Sequence, residues 1–187
     1  MSSVEDKDLG WSAIEKQLIV LASSEIVTGI QASEDDELLR YATINEFGSD
    51  EWIISSKQAF YMAKVLMGID PETEKARFWG TFRALRGKKM RIPERSYLRA
   101  SFDANQDLYR EGLERLFDGV VAGMDAKNLM DQLGATAEGI AKNWIDALQD
   151  PPNAGLTVAR KGANNPLVGN GRMKNAVRSI VRNRSKG

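Results

Sequence analysis

Two glutamates and two arginines are the groups in this chain whose chemistry could be joint. Glu46 lies in "INEFG"; Glu94, Arg95 and Arg99 lie in "IPERSYLR". Two carboxylates brought together can divide the roles of general acid and general base, as in glycoside hydrolysis. Nothing in the sequence brings Glu46 and Glu94 together, and Glu46 reads as a local hydrogen-bond acceptor near a helix end. A guanidinium is a planar fork that holds a carboxylate through two N–H bonds. Arg95, fixed behind the turn at Pro93, is expected either to clamp an acid of the N-terminal half such as Glu46 or to stand as a surface arginine. A third candidate is the long loop "PPNAGLTVARKGANNPLVGNG", Pro151 to Gly171. Its backbone amides, with Arg160 and Lys161, could cradle a phosphate.

The rest of the composition narrows the chemistry. The chain has no histidine and no cysteine. That removes the commonest general base, the usual zinc ligand and any thiolate nucleophile. None of the serines has a histidine to activate it. "GKK" at Gly87 to Lys89 lacks the earlier glycine and the Ser/Thr of a phosphate-binding loop. These absences count against hydrolase and metalloenzyme chemistry, and we expect no metal and no cofactor.

These residues need elements to position them. Trp11 to Ala22 has helical spacing, and "EIVTGIQ" (Glu25 to Gln31) alternates as a strand. Leu38 to Gly48 reads as a helix stopped by the glycine. Ser55 or Ser56 caps a helix reaching Met67, and a second helix spans Glu72 to Leu85. Phe60, Trp79 and Phe82, beside Arg77, Arg83 and Arg86, fit either a packed face or a base-stacking platform. Met90 to Pro93 is extended. A long helix begins at Ser101 or Asp103, with Tyr109, Leu113, Leu116, Phe117, Val120, Val121 and Met124 as its apolar positions. A second, from about Ala126 to Gln149, carries the clearest stripe in the chain and ends at Pro151 and Pro152. The two form a helical hairpin. "GRMKNAVRSIVRN" fits a helix or a strand; the favoured reading is a short helical turn leading into a strand that pairs with "EIVTGIQ". The expected fold class is α+β: a small antiparallel sheet packed against long helices that include this hairpin. The expected organisation is a single domain, residues 1–187, with an insertion at 52–89 and an extended basic arm at 150–172.

Formal net charge is zero, but it is unevenly spread. Met1 to Glu51 holds twelve acids and three bases, whereas Asn153 to Gly187 holds eight bases and no acid. Such a tail suits nucleic acid, the oppositely charged end of a neighbouring copy, or simply solvent. The polar, acidic N-terminus does not read as a signal peptide, and no apolar run approaches membrane-spanning length. We expect no membrane partner.

Three segments occur in a fixed order: "YATINEFG", "IPERSYLRASFDAN" and "PPNAGLTVARKGANNPLVGNGRMKNAV". Together they resemble the phage virion morphogenesis and tail-completion (neck) proteins, including the Mu-like group. The matching positions are Ala42, Glu46, Phe47 and Gly48, then Pro93, Arg95, Leu98 and Arg99, then Thr157, Lys161, Gly162, Pro166, Leu167 and Gly171. Where the family usually has D-T-G after P-L, this chain has Gly169, Asn170 and Gly171. The resemblance implies a non-enzymatic virion protein at the head–tail junction, a ring of its own copies expected as a hexamer around the DNA channel. Its neighbours would be neck, head-adaptor and tail proteins, with assembly in the host cytoplasm. Contacts with neighbouring subunits or partners are then expected at Glu46, Phe47, Pro93, Arg95, Arg99, Thr157, Arg160 and Lys161. Contacts with channel DNA or an acidic partner are expected at Arg172, Lys174, Arg178 and Arg182. The alternative is a non-enzymatic nucleic-acid-binding protein that uses the basic C-terminal segment.

Overall fold

The computed structural model describes residues 10–31, 36–155, 157–158, 165–167 and 171–184. In chain order the elements are α1 (Trp11–Ser23), β1 (Ser24–Ile30), α2 (Asp36–Phe47) and β2 (Ser49–Ile53). Then come α3 (Ser56–Tyr61), continued by a π-helical turn (Met62–Leu66), α4 (Lys75–Leu85) and β3 (Lys89–Ile92). The C-terminal half holds α5 (Arg99–Ala104), α6 (Gln106–Val121), α7 (Ala126–Ala147), α8 (Arg172–Ala176) and β4 (Val177–Asn183). The class is α+β, with long helices packed on short antiparallel strand pairs.

Helix α7 is the spine. Ala126, Met130, Gly134, Ala137, Ala141 and Ile145 recur at threes and fours and are buried. One face meets α6 in the helical hairpin, and another lies on the β1–β4 pair. β1 and β4 are antiparallel in unbroken register, from Ser24 opposite Asn183 to Ile30 opposite Val177. The hydroxyls of Thr28 and Ser179 meet across the pair at 2.6 Å. α7 approaches this pair closely at Gly134, where an added Cβ would lie 3.2 Å from the Cβ of Ser179. The N-terminus of α7 is capped twice. Asp125 accepts the Asn128 N–H, and Gln17 from α1 accepts the Ala126 N–H.

Two apolar clusters follow. One joins Leu38 and Ala42 of α2 to Tyr97, Ile145, Leu167, Met173 and Val177. The other joins Leu116 and Val120 of α6 to Leu129 and Met130 of α7, under Ile14, Leu18 and Leu21 of α1. Residues 49–92 form a separate excursion whose two ends pair as β2 and β3, with a bulge between Ser49 and Trp52. Residues 52–89 lie within it. It has its own cluster of Ala63, Ile69 and Phe78. Ser55 and Gln58 make a reciprocal capping box at the start of α3, and Gln58 Oε1 also accepts the Trp52 indole N–H.

The structure departs from the sequence reading at definite places. β2 was not foreseen; its five residues include two acids and show no clean alternation. The helix begun at Ser56 changes to π geometry at Met62. α4 starts at Lys75 rather than Glu72, because the Asp70 carboxylate accepts the Glu72 N–H and holds a turn there. The long helix expected from Ser101 or Asp103 is divided at Asn105, whose backbone leaves the helical region and whose side chain donates to the Ser101 carbonyl. Gly171 to Asn183 resolves as the short helix and strand that the sequence favoured. Among the described residues no helix is long and apolar enough to cross a membrane.

Ile145 is fully buried where α7 meets the first cluster. Replacing it with alanine removes its packing and leaves a void, so Ile145→Ala is expected to cost about 2–5 kcal/mol. Urea unfolding at matched m-values checks this.

Candidate functional site

The site begins where α2 ends. Gly48 follows Phe47 in the left-handed region at φ 70°, donating its N–H to the Ile44 carbonyl at 2.7 Å. This turn presses the end of α2 against the segment after β3. A Cβ on Gly48 would lie 2.9 Å from the Glu94 backbone nitrogen. Next to it, the Arg95 N–H donates to the Asn45 carbonyl at 2.6 Å.

Between Pro93 and α5 the chain presents consecutive backbone N–H groups with no acceptor in their own helix. Glu46 supplies one. Its Oε2 accepts the N–H groups of Tyr97 (2.8 Å) and Leu98 (3.0 Å). Its Oε1 accepts the Arg99 N–H (3.0 Å), the Ser96 hydroxyl (2.8 Å) and the Arg99 Nε–H (3.1 Å). Successive N–H groups aimed at one point make an anion-binding concavity, and here the anion belongs to the chain itself. Glu46 is only 4% exposed. Burial by itself would raise its pKa, but the N–H groups of Leu98 and Arg99, the Ser96 hydroxyl and the Tyr97 N–H outweigh it and hold the carboxyl below its ordinary value. Burial, with the adjoining Glu46 charge, drives the Tyr97 phenol in the opposite direction, far above its ordinary value.

Arg99 completes the cluster. Beyond its bond to the Glu46 carboxylate, its Nη2 donates to the Glu46 carbonyl (2.8 Å) and to Glu94 Oε1 (2.7 Å). Its guanidinium lies 4.6 Å from the centre of the Phe47 ring, a cation–π contact. The bond to Glu46 is the main cause that raises its pKa further. Glu46 and Glu94 therefore do converge, but on one guanidinium. A carboxylate held ionised by five donors suits a positional role and makes a poor general acid.

Two expectations are corrected here. Glu46 is an acceptor for a distant turn, not for its own helix end. The clamp on it is Arg99, not Arg95. Arg95 faces the other way, donating from Nε to the Pro151 carbonyl and from Nη2 to the Pro152 carbonyl, both at 2.9 Å. It ties down the start of the long loop. The signal that could have found the true arrangement is the set of orphan N–H groups that any chain entering a helix must place.

The remaining candidates are spread out. Pro93 is half-buried beside Glu94, and Phe47 is exposed under Arg99. Thr157 sits in a helical turn, its N–H on the Ala154 carbonyl. Arg160 and Lys161, and with them the proposed phosphate cradle, lie outside the described residues. Lys174 pairs with Asp146, Arg178 with Glu138 at 3.6 Å, and Arg182 with Glu25 at 2.8 Å. Arg172 is exposed at the start of α8. Among the described residues no cluster of three or more acids is arranged to hold a metal ion. The sequence reading also placed one apolar stripe on α6, but the structure splits it. Leu116 and Val120 are buried, whereas Leu113, Phe117 and Val121 face out. No protein-family model, no curated protein and no solved structure matches this chain.

Glu46→Ala leaves the buried Tyr97 N–H and the part-buried Leu98 and Arg99 N–H groups without this acceptor, and a loss of about 3–5 kcal/mol is expected. Gly48→Ala adds a clash with backbone in a left-handed conformation and is expected to cost more than about 1 kcal/mol. Both are read by denaturant unfolding. Because the folded pKa of Glu46 is depressed, its stabilisation is present above the unfolded-state value near 4.5 and lost as pH falls through the folded value. The stability gap between wild type and Glu46→Gln should therefore narrow as unfolding is measured at successively lower pH in that acidic range.

Proposed function

We propose that this chain is a non-enzymatic structural virion protein of a tailed phage, a neck or tail-completion subunit. It forms a homo-oligomeric ring at the head–tail junction, around the DNA channel. The observation that carries this reading is the convergence of the three segments that resemble that family. Glu46 of the first accepts from Ser96 to Arg99 of the second. Arg95 of the second holds Pro151 and Pro152 of the third. Leu167 of the third packs in the cluster with Ala42 and Tyr97. Residues far apart in sequence that meet in this way share one physical task, which is to hold Pro151, Pro152 and Leu167 with the α5 turn and α2.

The nucleic-acid alternative draws less support. Lys174, Arg178 and Arg182 pair with acids of the same chain, and each such pair must be broken or shared before a phosphate is met. Under the ring reading, quantitative mass spectrometry of purified particles from the source finds the chain at a low fixed ratio, on the order of six to twelve copies each. Free duplex binding is then weak. Absence from finished particles, together with tight DNA binding that collapses with salt, would replace this reading by the alternative.

A further inference from the structure

Two exposed apolar surfaces of opposite charge lie on separate parts of the chain. The first is a groove of about 610 Å³ between β1, α5, α6 and α7. Ile26, Leu133 and Ala137 line it together with Leu98, Phe102 and Leu113. Phe102 and Leu113 are each about half exposed, and Phe117 and Val121 continue the apolar line along α6. Arg99 to Val121 holds five acids and three bases. The three bases pair with Glu46 and Glu94, Asp107 and Glu111. Asp103, which lines the groove, and Glu114 and Asp118 on α6 have no ion pair among the described residues.

The second surface is on the excursion. Phe60 and Trp79 stand 39% and 43% exposed on either side of the buried Phe78. They meet its ring edge-to-face at 5.1 and 5.3 Å, and Phe82 extends the chain of rings from Trp79. Residues 52–89 hold eight bases and three acids. Lys75, Arg83, Arg86 and Lys88 have no ion pair among the described residues. Aromatic rings bordered by cations are typical of the energetic centre of an interface.

We infer that the Phe60–Trp79 face of one copy docks in the α5–α6–α7 groove of the next. The occupant is a second copy because the chain itself carries the complement of each surface, in apolar character and in charge. The two surfaces are unlike, so the contact is heterologous, and repeated around an axis it closes a ring. The inference rests on the ring reading above and names the contact that would build it.

The test uses the full chain. At about 100 μM, well above a micromolar Kd, wild type is expected to sediment as an oligomer whose mass falls as salt rises. Leu113→Glu and Trp79→Glu change half-exposed residues, and each should give monomers with an unchanged circular dichroism spectrum. Mixed together they should form a discrete one-to-one dimer, because the first keeps an intact aromatic face and the second an intact groove. Should Leu113→Glu unfold, Phe117→Glu takes its place. A monomeric wild type, a Trp79→Glu variant that keeps the wild-type mass, or a mixture that stays monomeric would overturn the inference. None of these outcomes depends on particle content. An oligomer whose variants complement, from a chain absent in particles, would sink the virion reading and leave the contact standing.

Discussion

The Glu46 carboxylate and the backbone N–H groups of Tyr97, Leu98 and Arg99 set the geometry of the α2–α5 junction. Taking a carboxylate out of water costs several kcal/mol. Hydrogen bonds to a charged group return about 1.5–3 kcal/mol each, so five donors offset the cost. The ion pair with Arg99 is the smaller part of this, because the Arg99 side chain is about half exposed and solvent screens it. The backbone donors decide the balance. Once they are bound, Tyr97 is committed to the core, Arg95 is aimed at Pro151 and Pro152, and the long loop is tethered at its start.

The lopsided charge along the chain resolves differently in space. Its acidic N-terminal half and basic C-terminal end meet within one molecule, as Glu25 meets Arg182 across β1 and β4. Glu138 also collects Lys142, Arg178 and the Ser179 N–H, which joins α7 to β4. The exposed Glu25–Arg182 pair contributes little to stability, about 0–1 kcal/mol. The consequence of these pairs is electrostatic: Lys174, Arg178 and Arg182 of the C-terminal segment are already answered. On the excursion, Lys64, Lys75, Arg83, Arg86 and Lys88 have no ion pair among the described residues.

Much of the fold was legible because its signals are periodic. α7 needs only its stripe and the two prolines after it, and β1 needs only alternation and β-branched residues. The pairing of β1 with β4 followed from the second alternating run near the end. The site was less legible. Glu46 and the 96–99 turn are joined mainly by hydrogen bonds to backbone, which leave no mark in side-chain type. Arg95 and Arg99 are alike in sequence, and only the direction of the turn separates their tasks. The split stripe of α6 was unreadable for another reason, since periodicity tells which residues share a face but not whether anything covers it.

The groove and the Glu46 cluster share a wall. Leu98, Arg99 and Ser101 line the groove, and Leu98 and Arg99 are the residues whose backbone Glu46 holds. Ser101 is itself locked, its hydroxyl donating to the Leu98 carbonyl. Phe102 is therefore presented from a segment with few remaining degrees of freedom. An apolar surface held in this way loses little entropy when it is covered, which is what favours association over a mobile patch of equal area. The same carboxylate that completes the fold thus prepares the surface through which copies of the chain would meet.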